Sequence, residues 1–162
     1  MPISWPSMRW HGPAVSEADV AGFEAQLGHA LPEDYRRFLL EVNGGRLAME
    51  NKSFRCGNVN MLFSLNDPDE RNDLLTYALR ERSSSLLPSP DLLSVGYDDG
   101  AAPILIALAG ERRGEVWFEN TSDPRPEGSN PRVLWFDRRD MKKLADSFEQ
   151  FMGTLKPLDT GA

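Results

Sequence analysis

Leu31-Pro32-Glu33-Asp34-Tyr35-Arg36-Arg37-Phe38-Leu39-Leu40-Glu41-Val42-Asn43-Gly44-Gly45 reads as one complete helix with both ends marked. Pro32 suits the first helical position, where its missing N–H costs nothing and its fixed φ is already helical. Glu33 and Asp34 follow at the positive end of the helix dipole. Tyr35, Phe38, Leu39 and Val42 recur at i, i+3, i+4 and i+7, which places them on one buried stripe. Asn43-Gly44-Gly45 stops the helix, because glycine reaches the left-handed conformation that a C-terminal cap needs.

Immediately upstream lies a partner helix. Ser16 is a good N-cap, Asp19 stands three residues on in a capping-box position, and Val15 with Val20 can close a hydrophobic staple. Val20, Phe23 and Leu27 form its apolar stripe, and Gly28 ends it. Two helices joined by so short a link pack on each other and present a shared apolar face.

Beyond Gly45 the pattern shifts to short extended runs. Residues 46–60 are irregular and predict a loop or weak edge strand. Val59 to Leu65 predicts a strand with Met61, Phe63 and Leu65 on one side. Asp67-Pro68-Asp69-Glu70 has the form of a helix start, with Asp67 as cap, and Leu74, Leu75, Ala78 and Leu79 supply the stripe that follows. Ser83-Ser84-Ser85 and the prolines at 88 and 90 close it. Leu92 to Tyr97 predicts a strand and Asp98-Asp99-Gly100 its turn. Pro103 to Ala109 is apolar on both faces and belongs in the middle of the sheet. Glu115 to Glu119 alternates, Val116 and Phe118 facing one way and Glu115, Trp117 and Glu119 the other. Residues 120–131 form a proline-rich loop. Arg132 to Asp137 returns as a strand, Arg138 to Lys143 is a charged connector, and Ser147 caps a last helix buried through Phe148, Phe151, Met152 and Leu155. Strands joined by hairpin-length loops, with helices at the two ends, define an α+β fold: helices packed on one side of a twisted, mainly antiparallel sheet.

The run from Val15 to Gly45 resembles the SUKH superfamily, the Smi/Knr-type domains, in its first helix, its Leu-Pro-Glu-Asp-Tyr, its Phe38-Leu39 and its terminal Asn-Gly-Gly. Leu144-Ala145-Asp146-Ser147-Phe148-Glu149-Gln150-Phe151 resembles that family's closing helix, so the likeness spans Val15 to Leu155. The resemblance implies the same α+β fold. It also implies non-enzymatic work: bacterial immunity proteins that neutralise toxins, and in fungi a regulator of cell-wall synthesis. Ala101-Ala102-Pro103 departs from the family, whose members carry extra glycines at that turn. The resulting division is an extended N-terminal strap over 1–14, a single SUKH-like domain over 15–156 and a tail over 157–162.

Composition narrows the classes. The 162 residues suffice for one domain burying about two-thirds of its unfolded surface. Cys56 is the single cysteine, so neither an intrachain disulfide nor a multi-cysteine metal site is expected. No apolar run approaches the eighteen or so residues of a membrane span, and Met1 to Pro6 lacks the regions of a signal peptide; the expected location is the cytoplasm. The net charge of −7, from 25 acidic against 18 basic side chains, argues against nucleic acid and suits a basic protein partner. Fourteen arginines against four lysines suggest a GC-rich bacterial genome.

Catalytic motifs are not found. There is no Gly-x-Ser-x-Gly elbow, no phosphate-binding glycine loop and no motif around Cys56. His11 and His29 lie in no recognisable catalytic setting. Asp67-x-Asp69 fails as a calcium loop at its sixth position, Asn72, and at its twelfth, Ala78. No cofactor and no metal site are expected.

What remains is a recognition surface. Asp98 and Asp99 read first as solvated turn formers. Trp117, between Glu115 and Glu119, is the aromatic anchor rimmed by acids that a binder of a basic protein presents; the other reading is that the strap covers and buries it. The candidate partner-binding residues are therefore Trp117, Glu115, Glu119, Asp98 and Asp99. Trp5 and Trp10 of the strap either plug onto the core or dock on a partner, which makes a homodimer a further expectation. Two functions follow, both without chemistry: a bacterial immunity protein that neutralises a nuclease-type toxin domain by stoichiometric binding, and an intracellular adaptor of the Smi/Knr type.

Overall fold

Ser16 caps helix α1 (Glu17–Leu27) with the reciprocal pair expected of a capping box: its hydroxyl accepts from the Asp19 amide at 3.1 Å, and its own amide donates to Asp19 Oδ2 at 2.8 Å. The Ser16 amide, and after it the Ser16 hydroxyl, hold the Asp19 carboxyl below its usual range. Val20, Phe23 and Leu27 are buried, and Gly28 ends the helix in the left-handed region. The computed structural model describes residues 4–84, 88–120, 135–138 and 140–157. The predicted loop over 121–131, residues 132–134 of the predicted strand, and 158–162 of the tail lie outside the described residues.

Helix α2 (Glu33–Glu41) begins one residue later than its sequence suggests, because Pro32 keeps an extended ψ of 140° and acts as the N-cap. Tyr35, Phe38 and Leu39 are buried on one stripe. The cap residue is Val42, and the three residues after it all have positive φ: Asn43 at 66°, Gly44 at 72° and Gly45 at 114°. The two glycines do more than stop a helix. A Cβ on Gly44 would come within 2.3 Å of the Phe63 carbonyl oxygen, and one on Gly45 within 2.2 Å of the Trp10 carbonyl oxygen. Chain segments on both sides approach this backbone too closely for any side chain.

Among the described residues the strands are β1 (Met8–His11), β2 (Gly45–Leu47), β3 (Ser53–Phe54), β4 (Gly57–Leu62), β5 (Leu92–Asp98), β6 (Pro103–Ala107), β7 (Val116–Glu119) and β8 (Met141–Ala145). They form an open sheet in the order β1-β2-β4-β5-β6-β7-β8, with β3 paired to β4 and every pairing antiparallel. Helices α1, α2 and α4 (Phe148–Gly153) pack side by side, while α3 (Leu74–Ser84) touches both β5 and α1. This is the α+β architecture the sequence predicts.

Alternation along the central strands divides the interior in two. Ile104, Ile106, Val116 and Phe118 join Phe23, Tyr35, Phe38 and Phe148 in the main core. Leu105, Ala107 and Trp117 point to the other face and form a smaller cluster with Leu92 and Met141, on which Trp135 and Phe136 pack. β6 lies between β5 and β7 and is buried on both faces, which is why its sequence is uniformly apolar.

Several local expectations give way. The Asp67 helix start does not form; α3 begins at Leu74, and Asp73 caps it by accepting from the Thr76 amide and hydroxyl at 3.1 and 2.7 Å. Asp67 and Asp69 instead accept amides two residues on, and Ser64 bridges Asp73, so the intervening chain is held as turns. The strand expected to run to Leu65 stops at Leu62, and an irregularity between Val59 and Met61 shifts its facing. Trp135–Asp137 is a 3-10 turn rather than a strand. β8, the edge strand, begins inside the charged connector and runs two residues past it, through Leu144 and Ala145. The strap contributes β1, paired to β2, and Trp5 packs edge-on to Phe38 with ring centroids 5.2 Å apart.

Candidate recognition site

β7 carries Trp117 and Glu119, with Glu115 just before its first residue, and the side chains packed on each decide what it can do. Trp117 stands on the face away from the helices, as its alternation predicts, but it is only 6% exposed. Of the two readings of Trp117, exposed anchor or buried residue, the structure has the buried one. Its cover is different from the one expected: Trp135 meets it edge to face at 5.0 Å, while the N-terminal strap reaches the helices instead. Burial of an indole calls for a partner for its N–H, and Trp117 Nε1 donates to Glu115 Oε1 at 3.1 Å.

Glu115 is the centre of a small charge network. Arg112 donates to it at 3.3 Å and Lys143 Nζ lies 3.2 Å away. The Arg112 guanidinium also sits 4.1 Å over the Phe136 ring and 5.7 Å from the Trp117 ring, a position that favours cation–π attraction. Lys143 reaches Asp146 at 2.6 Å, and the hydrogen bonds to Asp146 and then Glu115 raise its ammonium above the ordinary range. These contacts fasten the 110–114 connection and β8 to β7.

Glu119 is not a rim residue either. It is 2% exposed, and Arg138 lies 3.7 Å from it while gripping the equally buried Asp140 through two nitrogens. Two carboxylates and one guanidinium thus close the far end of the second cluster. Beside them, Glu81 of α3 carries a carboxyl pushed up to about 7, chiefly by burial; the Tyr77 and Ser94 hydroxyls pull it back, and the Glu119 charge raises it further.

Asp98 and Asp99 lie at the β5–β6 turn. Asp98 Oδ1 accepts from the amides of Gly100 and Ala102 at 3.0 and 2.8 Å, so its carboxylate shapes the turn. Asp99 accepts from Asn60 at 3.2 Å and lies 3.9 Å from Lys52. The five candidate residues are thereby separated into three settings: the Glu115–Trp117 network, the Arg138 cluster and the hairpin turn. His11 Nδ1 lies 2.7 Å from the Gly12 carbonyl, and Cys56 is half-buried in the β3–β4 turn. Among the described residues no group of three or more His, Cys, Asp or Glu side chains is placed to hold a metal. No helix among them is long and apolar enough to cross a membrane.

An open antiparallel sheet, a helical layer opened by a Leu-Pro-Glu-Asp-Tyr helix and an Asn-Gly-Gly corner clasped by two neighbouring segments define a SUKH-type α+β domain. The chain belongs to the SMI1 / KNR4 family (SUKH-1), whose model matches residues 14–154. A search of curated proteins returned no match.

Residues not singled out by the sequence pattern are Arg112, Arg138 and Lys143, the cations that neutralise Glu115 and Glu119, and Asp140, the second carboxylate that Arg138 binds. Their only signal was charge within stretches that looked like connectors.

Proposed function

We propose that this chain is a non-enzymatic recognition domain, a single unit over 15–156 that works in the bacterial cytoplasm as an immunity protein. It binds a cognate toxin domain stoichiometrically and occupies the surface that toxin uses on its target. The observation that carries the reading is the family match over residues 14–154, in a family that includes such immunity proteins. The internal chemistry supports it. Glu115 and Glu119 of the predicted site are bound by Arg112, Lys143 and Arg138 and serve the fold, which leaves surface shape and charge as the means of action. A net charge of −7 favours encounter with a basic, nucleic-acid-attacking toxin, to which exposed carboxylates such as Asp99 would be offered.

The test is co-expression with a toxin domain found in a neighbouring open reading frame. Growth should be restored and an equimolar complex recovered; toxicity that persists despite soluble immunity protein would refute the assignment. The adaptor reading predicts instead that affinity purification, with no toxin gene present, recovers a stoichiometric cellular complex.

A further inference from the structure

The lysines of this arginine-rich chain are not scattered. All four, Lys52, Lys142, Lys143 and Lys156, belong to one corner of the sheet. Lys142 and Lys143 lie on β8, Lys156 is bridged to Ser53 of β3, and Lys52 immediately precedes Ser53.

β8 is also the last strand of the sheet, and among the described residues no strand pairs with its outer edge. One acceptor of β8 is already engaged: Arg55, from the β3–β4 turn, donates through Nη2 to the Lys143 carbonyl at 2.5 Å, and an added strand would take over that bond. A shallow, open depression of about 540 Å³ follows the strand from Met141 to Asp146, with Arg55 and Gln150 along its side. A second, of about 420 Å³, adjoins it at Arg55 and Leu144 and is lined further by Phe54 and Lys156.

The charge of this surface is opposite to that of the protein. In a chain of net charge −7, the charged residues lining the two depressions are Arg55, Lys142, Lys143 and Lys156 against Asp146 alone. Lysines on an edge strand deter pairing with a neutral or basic strand. They do not deter an acidic one, which would bring its own counter-charges. The five residues of β8 span about 17 Å, the length of a short extended peptide. Phe54 and Leu144, both half-buried, offer apolar contact for its side chains. A nucleic acid fits less well, since the remaining surface of an acidic protein repels a polyanion.

We propose that the β8 edge is a docking surface that takes an extended acidic segment of the partner protein as an added strand. Main-chain hydrogen bonds to β8 supply the attachment, and Arg55, Lys142 and Lys156 select for carboxylates. The proposal rests on the protein-binding reading above and names the surface through which that binding occurs.

A short peptide tests it without any toxin. An acetylated, amidated hexapeptide alternating glutamate and valine is titrated into the isotopically labelled full chain. The amides of Met141 to Asp146 and Arg55 should shift, with affinity that falls as salt is raised. A peptide with lysine for glutamate should bind about tenfold more weakly or worse, and so should one N-methylated at alternate backbone nitrogens. The Lys142→Glu/Lys156→Glu variant, checked for folding by circular dichroism, should lose the acidic peptide. Shifts confined to another surface, or equal binding of the N-methylated peptide, would overturn strand addition. Tighter binding of oligothymidylate at the same amides would make the edge a polyanion site. Sedimentation showing that β8 pairs with a second copy would assign the edge to self-association. Failure of toxin rescue with intact peptide binding counts against the toxin reading alone. Full rescue by the double variant counts against the edge alone.

Discussion

Asn43 and Leu65 exchange two hydrogen bonds through one side chain: Leu65 N donates to Asn43 Oδ1 and Asn43 Nδ2 donates to the Leu65 carbonyl, both at 2.8 Å. The second Nδ2 hydrogen goes to the Pro13 carbonyl at 2.7 Å. A side chain only 1% exposed thus ties the end of α2 to the segment after β4 and to the strap. Asn43→Ala removes three bonds, leaves buried backbone groups without partners and puts alanine at φ 66°. We expect a loss of about 3–5 kcal/mol, measured by urea unfolding. Asn43→Gly relieves the backbone but not the lost bonds, so it should remain well below the parent. If it matched the parent, the amide clamp would have no energetic role.

Arg138 holds two carboxylates that water does not reach. Arg138→Ala strips the buried Asp140 carboxylate of the guanidinium that grips it and removes a cation near Glu119, and truncating one partner of such a buried pair costs about 3–5 kcal/mol. Neutralising the acids as well, with Glu119→Gln and Asp140→Asn in an Arg138→Met background, should recover most of that loss. Thermal unfolding of the single and triple variants checks this. A triple variant no more stable than Arg138→Ala would show that the cost lies in packing rather than in unpaired charge.

Two tryptophans of the strap should behave differently. Trp5 packs on Phe38 and Phe148, at 5.2 and 6.0 Å between centroids, and its Nε1 donates to Glu41 at 2.8 Å. Trp10 is 37% exposed on the outer strand β1. Trp5→Ala should cost about 2–3 kcal/mol and Trp10→Ala no more than about 0.5. Equal costs in denaturant unfolding would contradict this division of the strap into a core plug and a surface residue.

The helical layer was legible because its signals are local. Ser16–Asp19, Gly28, Ser147 and the stripe through Tyr35 and Phe38 each depend on residues within one or two turns. The alternation of Val116, Trp117 and Phe118 likewise gave the correct faces. Asn43 was legible only as a helix stop, since its clamp reaches Leu65 across 22 positions. Asp67 and Pro68 mimic a helix start that the Ser64–Asp73 bridge prevents. The error at Trp117, over what buries it, has the same cause. Its cover comes from Trp135 and Phe136, which alternate like a strand but fold as a 3-10 turn, and nothing near Trp117 in sequence announces them. β8 was missed because its lysines resemble a solvated connector, which is also what suits an edge strand.

Glu81 makes stability depend on pH in the direction opposite to most carboxylates. Burial, with a smaller push from the Glu119 charge, lifts its pKa from an ordinary 4.5 to about 7, against the pull of the Tyr77 and Ser94 hydroxyls. Between those values the folded chain keeps a proton that the unfolded chain has released. This group's contribution to stability is therefore full below pH 4.5 and declines as pH rises toward 7. Glu81→Gln mimics the protonated form and removes the penalty. Its stability should coincide with that of the parent in acid and exceed it at pH 8, by about 1–2 kcal/mol once solvent screening of a half-buried carboxyl is allowed for. Urea unfolding of both chains from pH 4 to pH 8 measures the gap, and a carbon-13 titration of the Glu81 carboxyl locates its midpoint. A gap that stays constant across that range, or a midpoint near 4.5, would show that the carboxyl is solvated and that Tyr77 and Ser94 do not enclose it.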